Sequence, residues 1–196
     1  MKLNTPNKLT IARMVITPVF LALIMWESLP HRFLIATLVY SLAAVTDAID
    51  GKLARKNNQI TNFGKLLDPI ADKVLTTSAL LAFMVMDLCN IWIVMIVLTR
   101  EFTIASIRMI AAAGGVVIPA NIWGKIKTVS QMTFTIVIML LGEVYYIMGN
   151  VNAELFSKLP SLSIISNSLL WITAILTVVS GVIYIKDSVK VIDYTK

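Results

Sequence analysis

The chain is predicted to be all-α: a polytopic membrane protein with six transmembrane helices and both termini in the cytoplasm. Three observations predict this. Hydrophobic residues make up 58% of the 196 residues and charged ones only 14%, and the mean hydropathy of +0.83 lies well beyond that of an ordinary soluble domain. The apolar residues fall in six runs, each near the roughly 20 residues that cross a hydrocarbon core. Lysine and arginine gather at alternate joints between the runs. The joints are short, and no composition shift, repeat or low-complexity tract marks a linker, so residues 1–196 are expected to form a single domain.

The first run covers about Leu9 to Trp26 behind a short basic arm with Lys2 and Lys8. No small-residue cleavage site follows it and further apolar runs do, so it reads as a membrane helix rather than a signal peptide. The second run covers Phe33 to Ile49, and its helix is expected to continue through Arg55. A polar loop is expected from Lys56 to Gly64, then a third span from Ile70 to Met86. The fourth, Ile91 to Ala113, contains Arg100, Glu101 and Arg108, and Gly114, Gly115 and Pro119 end it. The fifth covers Lys127 to Met148 and the sixth Ile164 to Ile185.

Of the 17 lysines and arginines, only Arg32 and Lys158 fall at outer joints when the N-terminus is inside, and Arg100 and Arg108 are left inside the fourth span. The other 13 lie in cytoplasmic segments or at the cytoplasmic ends of spans, a positive-inside pattern that puts the protein in the cell membrane. The net charge of +6 therefore calls for no nucleic-acid partner, because the cations sit where membrane lipid headgroups and anionic substrates are met. Trp26 and Trp92 fall near outer boundaries and read as interfacial anchors. The single cysteine, Cys89, excludes an internal disulfide and reads as a small apolar residue. His31, the only histidine, lies in an outer loop and is not expected to be catalytic. Gly142 and Gly181 could permit close helix contact.

The stretch Asp47 to Asp72 puts four carboxylates at the edge of segments that read as membrane-buried. Asp47 and Asp50 are three apart and Asp68 and Asp72 four apart, so in helices each pair projects from one face. Converging carboxylates repel strongly at low dielectric unless cations neutralise them, and hard divalent ions such as Mg²⁺ or Mn²⁺ suit an all-oxygen site. Two ions are expected. Gly51 and Ala54 follow Asp47 at four and seven positions and leave a strip poor in side chains. Arg55, eight after Asp47, has a donor fork suited to phosphate, and Gly64 leaves an equivalent gap before Asp68.

The spacing Asp47-x2-Asp50-Gly51-x2-Ala54-Arg55-x8-Gly64-x3-Asp68-x3-Asp72 resembles the signature of the CDP-alcohol phosphatidyltransferase family, with all eight specified positions matched. The resemblance implies a membrane enzyme that uses metal ions to move a phosphatidyl group from a CDP-linked lipid to an alcohol, with release of CMP. It further implies metal ligation by Asp47, Asp50 and Asp68, with Asp72 also touching a metal. Asp72 is implied as the catalytic general base, and Asp47, Asp50, Gly51, Ala54, Arg55 and Gly64 as the CDP-binding residues. Neighbouring cations lower the pKa of Asp72 while burial raises it, and its protonation state stays open at this point. A homodimer is implied by the same resemblance.

Arg100 and Arg108 are eight apart on one predicted helix, hence on nearly one face, at a depth where an unpaired cation costs at least ~2.5 kcal/mol. They are expected either to pair internally, with Glu101 as counter-ion, or to clamp an anionic substrate together with Lys125 and Lys127. The second reading suits an acceptor that carries its own phosphate. Arg100-Glu101-Phe102 with Arg108, then Gly124-Lys125-x-Lys127-Thr128-x2-Gln131, together with Pro6-Asn7-x2-Thr10-x2-Arg13, resemble the branch of the family that forms phosphatidylglycerol phosphate. That branch implies CDP-diacylglycerol as donor and sn-glycerol 3-phosphate as acceptor. Asn7, Thr10, Arg13 and Gln131 are weaker candidates. Asn7, Thr10 and Arg13 could equally solvate and anchor a helix end.

Other branches remain open, with a cardiolipin, phosphatidylinositol phosphate or phosphatidylserine product. An ion-coupled transporter also places acids and arginines at membrane depth, but needs no nucleotide-sized gap beside its carboxylates. A membrane scaffold would bear the electrostatic cost of four acids without using them.

Overall fold

The computed structural model describes residues 5–56, 62–115, 118, 121–151 and 159–189, and within them the side chains other than those of 5–9, 47–56, 62–69 and 72. Six helices account for nearly all of these residues, and no strand occurs among them. They are α1 (Thr5–Met25), α2 (Arg32–Lys56), α3 (Asn62–Val85), α4 (Ile91–Ala113), α5 (Ile122–Val151) and α6 (Leu162–Val189).

Each predicted span corresponds to one helix, but the ends differ where polar sequence is also good helix sequence. The stretch expected as a loop, Lys56–Gly64, is helical at both ends: α2 runs to Lys56 and α3 begins at Asn62. Phe63, Leu66, Leu67 and Ile70 extend the apolar period of α3 back by two turns, and asparagine is a residue type that favours a helix start. α5 starts at Ile122, ahead of the expected Lys127, because the side chain of Asn121 accepts a hydrogen bond from the Trp123 amide at 3.2 Å. Asn90 caps α4 in the same way, accepting from the Trp92 amide at 3.0 Å. Gly114 and Gly115 do end α4, as expected: their amides return to Ile110 and Ala112 at 3.1 Å each, and Gly115 has a φ of +76°, which a side chain would oppose. Pro119 lies outside the described residues.

Two helices, α5 and α6, are long and apolar enough to cross a membrane by composition. α1, α2 and α3 hold shorter apolar stretches, Thr10–Met25, Arg32–Thr46 and Lys73–Val85. α4 has the length, with 23 residues, but carries Arg100, Glu101 and Arg108 in its interior. Those charges are the part of the chain with the most to explain.

The helices gather into two compact units. The first holds α1, α2, α3 up to Phe83 and the part of α5 from Thr135; the second holds α4, the part of α5 up to Phe134, and α6 from Ser163. In the first unit α1 packs on α2 through Phe20 and Tyr40, whose ring centroids are 5.4 Å apart, with Ile24, Ala36 and Ala43 buried beside them. The far end of α5 closes this unit. Glu143 accepts from the Leu34 amide at 3.2 Å and meets His31 Nδ1 at 2.5 Å, so a carboxylate sits at the start of α2, where the helix dipole favours it. His31 is thus a turn residue with a structural partner.

Gly142 is one of the two glycines expected to allow close approach, and a β-carbon there would fall 2.7 Å from the Phe33 ring. Phe33 is buried, so the ring has little room to swing aside. Gly142→Ala is expected to destabilise the protein by about 1–3 kcal/mol through overpacking, read as a lower thermal midpoint in detergent. Adding Phe33→Leu should recover part of the loss.

In the second unit the start of α6 is stitched to the α3–α4 turn. Ser163 donates to the Asp87 carbonyl at 2.5 Å, Ser166 to that of Leu88 at 2.7 Å, and the Asn90 amide to Asn167 at 2.7 Å. At the other end of α6, Asn121 reaches Asp187 at 3.4 Å. Cys89 is buried in the α3–α4 turn, where loss of solvation pushes its thiol up to about 12. A thiol so placed stays protonated at neutral pH and acts as packing.

Candidate active site

The residues expected to carry the chemistry fall on two sets of helices. Asp47, Asp50, Gly51, Ala54 and Arg55 lie on α2, which is helical without a break to Lys56, and Gly64, Asp68 and Asp72 lie on α3. The condition on the sequence argument is met: separations of three and four residues along a helix put each aspartate pair on one face. The side chains of Asp47, Asp50, Gly51, Ala54, Arg55, Gly64, Asp68 and Asp72 lie outside the described residues, as does that of Asn7. Among the described residues no three His, Cys, Asp or Glu side chains gather, so the metal reading rests on these aspartates alone. Their donor set, four carboxylates with neither nitrogen nor sulfur, fits a hard divalent ion.

On α1, Thr10 and Arg13 are both buried, and the Arg13 carbonyl accepts from Thr17 at 2.9 Å. Burial argues against a helix end merely solvated at the membrane surface, since a guanidinium withdrawn from water is kept only with polar partners. Gln131, on α5, is buried as well.

The basic residues of α4 and α5 lie in the second unit, and there the geometry is fully described. Arg100 Nη1 and Lys127 Nζ each lie 2.8 Å from the same carboxylate oxygen of Glu101. Lys127 is only 3% exposed, and a buried ammonium of this kind requires a counter-charge. Internal pairing through Glu101 is therefore present, and it leaves this trio one net positive charge. Arg100 also donates to Ser180 on α6 at 3.2 Å. Two glycines make space for its long side chain: a β-carbon at Gly181 would come within 3.2 Å of Arg100 Cγ, and one at Gly124 within 3.3 Å of its Nη2. Gly181 thus permits a close approach, though to a side chain.

Arg108 is arranged differently. Its Nε donates to the Tyr184 hydroxyl at 3.1 Å, its guanidinium carbon lies 5.3 Å from the centroid of that ring, and the residue is exposed. Lys125 is exposed too. Exposed cations such as Arg108 and Lys125 attract an anion.

Ser180 and Tyr184 were not among the residues the sequence singled out. The signal that marks them is a polar stripe in an otherwise apolar helix: Thr173, Thr177, Ser180, Tyr184 and Ser188 recur at helical spacing and all are buried.

Comparison with known proteins gives a consistent picture. The profile of the family described as CDP-alcohol phosphatidyltransferase matches residues 3–179. A Bacillus subtilis protein named CDP-diacylglycerol–glycerol-3-phosphate 3-phosphatidyltransferase is 35% identical over 189 residues, covering 91% of each chain. A Rickettsia felis protein of the same name is 36% identical, covering 95% of this chain and 96% of its own. A Mycobacterium tuberculosis protein named probable phosphatidylglycerophosphate synthase is 38% identical over 130 residues, 65% of this chain and 62% of that one.

Proposed function

The chain belongs to the CDP-alcohol phosphatidyltransferase family, and from that premise we propose that it transfers the phosphatidyl group of CDP-diacylglycerol to sn-glycerol 3-phosphate, yielding phosphatidylglycerol phosphate and CMP in phospholipid biosynthesis. The observation that carries the choice of acceptor is the set of cations Arg100, Arg108, Lys125 and Lys127, with Glu101 paired to Arg100 and Lys127. It suits an alcohol that arrives with a phosphate.

Each set of residues has its own part. Arg55 and the strip formed by Gly51, Ala54 and Gly64 admit and orient the cytidine diphosphate. Asp47, Asp50 and Asp68, with Asp72 at the margin of the set, hold two Mg²⁺ or Mn²⁺ ions, which when bound supply charge neutralisation for the pyrophosphate and the departing CMP. Asp72 accepts the proton of the acceptor hydroxyl as its oxygen bonds to the lipid-proximal phosphorus, while the bond from that phosphorus to the CMP oxygen breaks. Arg108 and Lys125 bind the acceptor phosphate, and Arg100 and Lys127 add their charge through a geometry set by Glu101. Thr10, Arg13 and Gln131 are supporting candidates on the strength of their burial.

The same reading makes the protein a single multi-pass domain of the cell membrane, a homodimer with six spans, cytoplasmic termini and an active site facing the cytoplasm. Six helices of 21 to 30 residues and the one-sided distribution of lysine and arginine support it. So do the contacts inside each unit: the α1–α2 turn meets the end of α5, and the α3–α4 turn meets the start of α6. Trp26 and Trp92 are exposed, as interfacial anchors would be.

Purified protein in mixed micelles with CDP-diacylglycerol, Mg²⁺ and glycerol 3-phosphate is expected to release CMP, and chelation to stop it. CMP release only with inositol phosphate, phosphatidylglycerol or serine would assign another branch of the family.

A further inference from the structure

We propose that Tyr184 is a positioning residue for the acceptor, aiming the guanidinium of Arg108 so that its two terminal amino groups present a ready fork to the acceptor phosphate. The inference rests on the reading of Arg108 as a ligand of that phosphate. It comes from how Arg108 is held. A guanidinium offers two edges for paired hydrogen bonds, one that includes Nε and one formed by the terminal amino groups. Tyr184 occupies Nε at 3.1 Å and lies under the plane's carbon at 5.3 Å from the ring centroid. Among the described residues, the terminal amino groups of Arg108 have no partner. The edge left over is thus the end-on fork, the one that takes two phosphate oxygens.

The two partners differ in mobility, and this makes the contact useful. Arg108 is exposed, on a flexible stem, whereas Tyr184 is 3% exposed within α6. A buried, rigid ring therefore fixes a side chain that would otherwise lose rotamer freedom only when the substrate binds. Arg100 shows the contrast: Glu101 takes Nη1 and Ser180 takes Nη2, so its terminal groups are already engaged by the protein. Of the two arginines, Arg108 is the one presented to a ligand.

The test is a double-mutant cycle on the full chain in mixed micelles, with KM measured separately for glycerol 3-phosphate and for CDP-diacylglycerol. Tyr184→Phe keeps the ring and removes only the hydroxyl. It is expected to raise the acceptor KM about three- to ten-fold, the range of one lost hydrogen bond of ordinary strength because the hydroxyl acts on the phosphate only through Arg108, with the donor KM unmoved. In an Arg108→Ala background the same substitution should have no further effect, because the group it aims is gone. An equal shift in both KM values, or an additive effect in the Arg108→Ala background, would show that Tyr184 only packs and would overturn the inference. If Arg108→Ala raises the acceptor KM but Tyr184→Phe does not, the inference alone fails. If Arg108→Ala leaves the acceptor KM unchanged, the acceptor-site reading fails with it.

Discussion

Asp68→Asn is expected to lower CMP release by about 10³-fold at saturating Mg²⁺ and both substrates, in line with the loss of a charged group that stabilises developing charge. The substitution keeps the size of the side chain and one oxygen, so the change is one of charge. In the proposed reading, the four carboxylates at helical spacing on α2 and α3 would be neutralised by bound cations. On that reading, removing one acid would weaken the hold on those cations as negative charge moves onto the leaving nucleotide. The comparison that isolates this effect is Asp87→Asn. Asp87 is exposed in the α3–α4 turn at a φ of +57°, a conformation asparagine adopts as readily as aspartate, and its contact with Ser163 is through the backbone carbonyl. Asp87→Asn should retain activity. Activity within ten-fold of the parent protein in Asp68→Asn would remove Asp68 from the ligand set.

What the sequence made legible follows from distance along the chain. Asp47 with Asp50, Asp68 with Asp72, and Arg100 with Arg108 each lie within three turns of one helix, so the helical repeat alone puts each pair on one face. The six helices were legible for the same reason, since an apolar run of the right length is a local property. Helix ends were less so, because Asn62 and Asn121 start helices inside stretches whose polarity alone suggests a loop. Glu101 as counter-ion was within reach, being adjacent to Arg100, but Lys127 on the same carboxylate oxygen is 26 residues away and only folding pairs them. Contacts across 76 and 80 residues, Tyr184 with Arg108 and Ser180 with Arg100, leave no trace in local spacing. Nor does the meeting of His31 with Glu143, 112 residues apart. The buried polar stripe of α6 does carry a sequence signal, since five hydroxyl-bearing residues at helical spacing in an apolar span must face protein rather than lipid.

Arg108→Ala should raise the acceptor KM about ten- to a hundred-fold while the donor KM changes by less than about two-fold, the scale set by charge-assisted hydrogen bonds of roughly 1.5–3 kcal/mol. The asymmetry between substrates is the informative part. A residue that merely supported the fold would disturb donor and acceptor together, and Arg108 is exposed, with Tyr184 as its one hydrogen-bonding partner among the described residues, so its removal opens no buried cavity. Arg108→Lys separates charge from shape: it keeps a cation but loses the planar fork, and should fall between the parent protein and Arg108→Ala. Salt provides an independent check. Because the guanidinium is exposed, its attraction for phosphate is screened over about 10 Å at 0.1 M ionic strength, so the acceptor KM of the parent protein should rise with added salt more steeply than that of Arg108→Ala. Lys127, buried against Glu101, is screened far less. A salt response that survives unchanged in Arg108→Ala would shift the acceptor's electrostatic contact from Arg108 to Lys125.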